Sequence, residues 1–435
     1  MCKSKAILRS LRKTSTPSFS SNSNVDLISN GSGLLINTPR KALETRDAAD
    51  LFHHYIVDVA LWYDLSDRQL IFSTEVPIIA LDDPLLFSAL MALSAMHMSK
   101  TVTPSARDVA ESYHGQCIRL LIDLDTDDPR IEKGVALAAT CLLRSYEILD
   151  EENDPNRHLR GAYSLASQYR DPPYQLSGGL LASGFWNYLR EDITFSLFGH
   201  CRLKIDLESI PNISQFPSDQ DHLNAMSLVL GRIINTMIQA TASAIEETWE
   251  TLLALVRTSL SELPRHFQPF SRVSIPLLAT LPSVRMLRNC HAATRHYYLV
   301  SLTILIMQLP SSSQLEPIKN IVVEIGCGSI DSATKEDLLE HLALEVCGVA
   351  FTSNEPAVLV NAFGPMSFCA RHVRNEPAQR EILAHLSACQ KTTGWPVQQI
   401  FINLQNSWEI SAEDTAGSTV QFDGSCGGQD PQQVP

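Results

Sequence analysis

Residues 321–330, IVVEIGCGSI, decide between two folds. A buried strand, an acidic residue and a glycine turn would open a nucleotide-binding α/β unit, and such a turn works only among repeated strand–helix units that build a parallel sheet. The surrounding sequence is helical instead. Downstream, DSATKEDLLEHLALEVCG (331–348) reads as a capped amphipathic helix, with no strand carrying an acid for a ribose. Ile330 stands where such a motif has its last glycine, and its branched side chain would crowd a ligand. The stretch is therefore expected to be a helix with Ile321, Val322, Val323 and Ile325 in the core, ending at Gly326 or Gly328.

Helix-start signals recur along the rest of the chain. Asp83-Pro84 precedes LLFSALMALSAMHM (85–98): the Asp can cap free amides, and Pro at the first helical position forgoes no hydrogen bond. Thr103-Pro104 repeats the device before Val109, Tyr113, Cys117 and Leu121, whose spacing of four places them along one face. Asp128-Pro129 opens a helical run over 130–152, and Asp154-Pro155 opens another over 156–169. Further helical runs cover 179–199, 222–260, 283–309, 335–351, 377–391 and 396–408, with almost no period-two alternation. Residues 14–33 are dominated by Ser, Asn, Thr and Gly, and the end, DGSCGGQDPQQVP, is equally unable to bury a face. The expected organisation is an all-α body over 46–411, between a disordered basic leader (1–45) and a disordered tail (412–435).

Composition narrows the function. Apolar residues make up 44% of the 435 and charged residues 19%, which suits a large globular core. The net charge is −14, unevenly spread: residues 1–50 carry +4 and the remainder −18. A body so acidic repels phosphate backbones, so direct DNA contact is expected only from the leader or from another chain. The ten cysteines include no C-x-x-C pair, so spacing offers no metal ligand set and they read as small buried side chains in a reducing compartment. The longest apolar runs are too short to cross a bilayer, so no membrane contact is expected. The Ser-rich basic start also has the composition of a mitochondrial presequence, a competitor to nuclear import.

Catalytic patterns are missing. There is no G-x-S-x-G elbow and no H-E-x-x-H. His53 and His54 are adjacent on a helix and point apart, so one buried and one exposed is expected. His97, in a Met-rich stretch, reads as core packing. Arg144, Glu147, Arg157, His158 and Arg160 form the one charged group that could clasp an anionic effector, although interhelical ion pairs are the commoner use of such residues. No catalytic or cofactor residue is nominated; a methyltransferase using S-adenosylmethionine remains only as the remote alternative that the glycine turn suggests.

In order and spacing, LFSALMALSAMHMSK (86–100), CLLRSYEILDEENDPNRHLRGAYSLAS (141–167) and GFWNYLREDITFSL (184–197) resemble the regulatory domain of fungal binuclear-zinc-cluster transcription factors. The segments 345–373 and 392–408 resemble its closing elements, so the likeness spans roughly 48–408. It rests on Tyr146 and Glu147, then His158, Leu159, Gly161 and Ala162, then Phe185, Trp186, Tyr188 and Arg190, then Gly394, Trp395, Pro396 and Trp408. Packing is the expected role of most of these, with close helix contact at Gly161 and large buried areas at Trp186 and Trp395.

The resemblance implies a nuclear, non-enzymatic regulator of RNA polymerase II transcription, possessing an effector-responsive helical domain that serves a metabolic or secondary-metabolite pathway. It implies transcriptional co-regulators, a DNA-binding partner or a second copy of the chain as partners. Zinc is implied only by an upstream cluster of six cysteines, since Cys2 is the sole cysteine before Cys117. The expectation is either a start further upstream or a co-regulator or scaffold that reaches DNA through its partner.

Overall fold

The computed structural model describes residues 38–125, 127–151, 161, 165, 178–208, 210–213, 215–273, 280–328 and 334–414. In chain order the longer elements are α1 (Arg46–His54), α2 (Ile71–Ala80), α3 (Pro84–Thr101), α4 (Arg107–Ile122), α5 (Val135–Asp150), α6 (Leu180–Gly199), α7 (Asp219–Met237) and α8 (Ala242–Ser261). Two three-residue strands follow, β1 (Ser271–Val273) and β2 (Ser283–Arg285), paired antiparallel with Ser271 opposite Arg285. Then come α9 (Asn289–Met307), α10 (Glu316–Glu324), α11 (Lys335–Ser353), α12 (Pro356–Cys369), α13 (Glu376–Thr393) and α14 (Gln398–Asp414). The fold is all-α. No described helix is long and apolar enough to cross a membrane.

The described residues fall into two compact units, those up to 60 with those of 69–185, and 61–68 with those from 186 on, and the division falls inside α6. Each is built around a helix buried on every side. In the first unit that helix is α3, where Leu85 through His97 are all buried against α1, α4 and α5. Its start is as the sequence predicts: Asp83 accepts from the Leu86 amide at 3.0 Å, with Pro84 at the first helical position. In the second unit it is α9, buried from Cys290 through Ile306 against α7, α11 and α12. A helix with no polar stripe needs its own polar groups met internally. Thr294, Ser301 and Thr303 donate to the carbonyls four residues back, at 2.8–2.9 Å.

The IVVEIGCG stretch is helical, as its context requires. α10 ends in a Schellman motif: the Cys327 amide donates to Val322 O at 3.1 Å and the Gly326 amide to Val323 O at 3.0 Å. This closure places Gly326 at φ 74°, where a side chain would be strained. The glycines that look like a ligand turn are a helix cap. Ile321, Val322 and Ile325 are buried, but Val323 is 49% exposed. At 100° per residue Ile321, Ile325 and Val322 fall within an arc of about 100°, and Val323 lies about 100° beyond it, on the solvent side.

Other elements depart from the sequence reading for equally local reasons. The run over 130–152 splits into a single turn, Pro129–Glu132, and α5, because Gly134 takes φ 81° and a Cβ there would meet the Leu181 backbone at 2.6 Å. The run over 222–260 divides into α7 and α8, with Thr241 capping the second. The run from 283 opens as β2 before α9 begins. On α4, Val109 is 40% exposed and Ala110 takes the buried position. A spacing of four drifts by about 40° per step, which carries the first member of the row out of the face. The helical run predicted over 156–169 lies almost wholly outside the described residues. A helical turn, Pro39–Ala42, falls within the expected leader, and α14 continues to Asp414.

Buried charge surrounds the capped turn. Arg295 is fully buried on α9 and donates to Ile325 O at 2.9 Å, Tyr298 Oη at 3.1 Å and Cys327 Sγ at 3.1 Å. It also lies 3.3 Å from Glu345, fully buried on α11, while Arg272 of β1 binds the other Glu345 oxygen. The turn is thus a set of acceptors for an interior guanidinium.

Candidate functional site

The charged group nominated from sequence is only partly described. Arg144 and Glu147 lie on α5, buried at 6% and 1% exposure, while Arg157, His158 and Arg160 lie outside the described residues. Around them, His114 stacks on Tyr146 with centroids 4.3 Å apart, and Arg107 binds Asp150 at 2.6 Å. Of the histidines, His53 is exposed and half-buried His54 has Nε2 2.8 Å from Nδ1 of buried His97.

The residues that carry the resemblance are mostly interior. Phe185 and Trp186 are buried on α6. Trp395 is buried edge-on to Trp62 at 6.5 Å and stacked on Phe363 at 5.7 Å. Gly394 ends α13 at φ 65°, its amide bonded to Gln390 O at 2.9 Å. Gly161 is less constrained than expected, since a Cβ there would meet Thr140 at 3.7 Å, an ordinary contact. Arg190 is a polar clamp: it binds Asn187 Oδ1 at 2.6 Å, Asn361 Oδ1 at 3.3 Å and the hydroxyl of Ser66. With Asn187 donating to Tyr63 O at 3.0 Å, it fixes segment 61–68 in the second unit.

A cleft of about 830 Å³ opens in that unit among α11, the turn Ala370–His372 and its successors, α13 and α14. Leu339, Val373, Leu383 and Trp408 supply its apolar wall, and the Trp408 indole is held by a 3.0 Å bond to Ala370 O. Three arginines line it with different company. Arg374 is bound by Asp337 at 2.6 Å and Glu340 at 3.0 Å, and Arg380 pairs with Glu376 at 3.5 Å. Arg371 donates to Phe368 O at 2.7 Å, lies over the Phe368 ring and touches His200, with no carboxylate in contact among the described residues. Burial pushes its pKa down to about 10. Burial and then the Arg371 charge push His372 to about 4, so that side chain is neutral at pH 7. Its Nε2 is buried with no hydrogen-bond partner among the described residues.

Sequence reading named Trp408 but missed Arg371 and His372. The available signal was the basic run ARHVR (370–374), set between an apolar helix and the Asn375 cap of the next.

Comparison with known families decides the class. The profile of the fungal specific transcription factor domain matches residues 50–327. The chain belongs to that family. The match runs from within α1 through α10 to the capped turn at Cys327, and ends before the elements that line the cleft. This family of transcription factors places the chain among transcription regulators. No curated protein and no solved structure matched significantly.

Proposed function

We propose that this family member is the effector-responsive regulatory body of a nuclear regulator of RNA polymerase II transcription, and that its effector is a small organic anion bound in the cleft. The observation that carries the reading is Arg371, a half-buried cation with no contacting carboxylate among the described residues, lining an open cleft with an apolar wall. A partly desolvated charge lacking a counter-charge gains when a ligand supplies one. Glu336, Glu376 and Glu409 also line the cleft, which disfavours a polyphosphate and favours a singly charged acid with an apolar body against Trp408. An effector shifts the regulator between states only by binding one of them more tightly.

Co-regulators, a DNA-binding partner or a second copy are the proposed macromolecular partners. The −18 charge beyond residue 50 favours contact with protein over contact with DNA. The test is Trp fluorescence of the full chain titrated with octanoate and phenylacetate, alongside a reporter driven by the chain fused to a heterologous DNA-binding domain. Saturable quenching that Arg371→Gln weakens at least about tenfold, with altered reporter output, is expected. Equal titration of the variant and the parent chain would overturn the anion reading. A reporter silent in every fungal host would overturn the regulatory one.

A further inference from the structure

A second polar cluster lies in the same unit, where α7 and α9 begin. Asp219 is the first residue of α7, but the capping box of Ser218 and Asp221 closes that terminus, leaving the Asp219 carboxylate for other partners. His266 Nε2 lies 2.8 Å from its Oδ1, and His291 Nε2 and Arg288 Nη1 lie 2.9 and 3.1 Å from its Oδ2. Cys290 adjoins His291 in the first turn of α9, and one ligand atom from each of Asp219, Cys290 and His291 lies within 4.8 Å of the others. The two imidazoles are 5.2 Å apart, and the buried Phe267 ring packs on His291 at 4.1 Å, fixing its orientation.

We infer that Asp219, Cys290 and His291 form a binding site for a zinc-class divalent cation, with His266, which lies outside that 4.8 Å group on the other Asp219 oxygen, swinging in as the fourth ligand. Two imidazoles, a carboxylate and a thiol are the mixed donor set that Zn²⁺ accepts in tetrahedral geometry, and soft sulfur with nitrogen disfavours Mg²⁺ and Ca²⁺. Charge supports the assignment. One carboxylate and one thiolate balance a dication, so the positive ends of α7 and α9 meet a neutral site rather than a bare cation. Ligands bound at about 2.0–2.3 Å around a tetrahedral ion stand about 3.3–3.8 Å from one another. The carboxylate–imidazole distances therefore need to open by under about 1 Å, which His266, on the short turn Arg265–Phe267, can supply. Arg288, with its side chain 64% exposed, can yield its place on Asp219 to the ion by turning into solvent.

Coordination breaks the Cys290 S–H bond, forms the metal–sulfur bond and releases the proton to solvent, so affinity rises with pH. The site is independent of the cleft and of its proposed effector.

The test is titration of the full, metal-stripped chain with Zn²⁺ by calorimetry and with Co²⁺ by absorption. One ion per chain is expected, with a thiolate-to-cobalt charge-transfer band that Cys290→Ala abolishes. His266→Gln, at a half-exposed turn position, should weaken Zn²⁺ at least about tenfold, the loss that even outer-shell partners cause, while the denaturation midpoint of the metal-free chain stays unchanged. Substoichiometric uptake, a missing thiolate band, or variants that match the parent chain would overturn the assignment.

Discussion

Replacing Glu345 by Gln tests the buried charge cluster most directly. The change keeps volume and shape but removes the negative charge between two guanidiniums. Arg272 can respond, because its side chain is 19% exposed and sits on a short strand. Arg295 cannot, being fully buried on all sides of α9. It keeps Ile325 O and Tyr298 Oη but loses its counter-charge. Leaving one partner of a buried pair uncompensated costs about 3–5 kcal/mol. For a unit of this size that lowers its melting temperature by about 6–20 °C. Denaturant and thermal unfolding of the full chain, followed by Trp fluorescence, measure it. Arg295→Met with Glu345→Met should recover most of the loss, since both charges then leave together. A loss under about 1 kcal/mol for Glu345→Gln, or a double variant as costly as the two single variants summed, would refute the reasoning.

Acid should weaken the second unit in a defined window. His296 is pushed down to about 4 by burial, and His372 to about 4 by burial and Arg371, against an ordinary value of 6.5. Between about 4 and 6.5 the unfolded chain therefore binds more protons than the folded one, so stability rises with pH there and falls on acidification. His296→Gln should flatten that slope in denaturation midpoints taken at pH 7, 6 and 5; an unchanged slope would assign the effect elsewhere. Gly348→Ala on α11 places a methyl 2.4 Å from the Pro282 carbonyl, so a loss of about 1–3 kcal/mol is expected by chemical denaturation, and a neutral result would mean that the backbone there yields freely.

The class of fold was legible because helix starts are local. Asp83-Pro84 and the Thr334–Asp337 capping box each carry their signal within a few residues. The IVVEIGCG stretch was equally legible once its neighbours were weighed, because a glycine turn takes its meaning from what precedes it. Breaks inside helical runs were not. Gly134 stops a helix because of Leu181, far along the chain, and that contact has no trace in composition. The cleft and the Asp219 cluster were hidden for the same reason. Spacing rules see ligands on one turn, whereas Asp219, His266 and Cys290–His291 come from three separate elements. Family likeness pointed to packing residues, and Arg190 is the exception, a clamp whose partners Ser66 and Asn361 stand far from it in sequence.

That clamp affects how the protein is made. Segment 61–68 leaves the ribosome long before Asn187 and Arg190, the residues that hold it. At about 5–20 residues per second the wait lasts about 6–24 s. During it the nascent chain must carry Trp62, Tyr63 and Leu65 without their final burial, exposed to chaperones and proteases. A fragment starting at residue 186 would lack these eight residues altogether, and the apolar surface under them would stay open to solvent. Anyone dividing the protein at the apparent border between its units should therefore expect an insoluble product, and should supply residues 61–68 in trans to recover it.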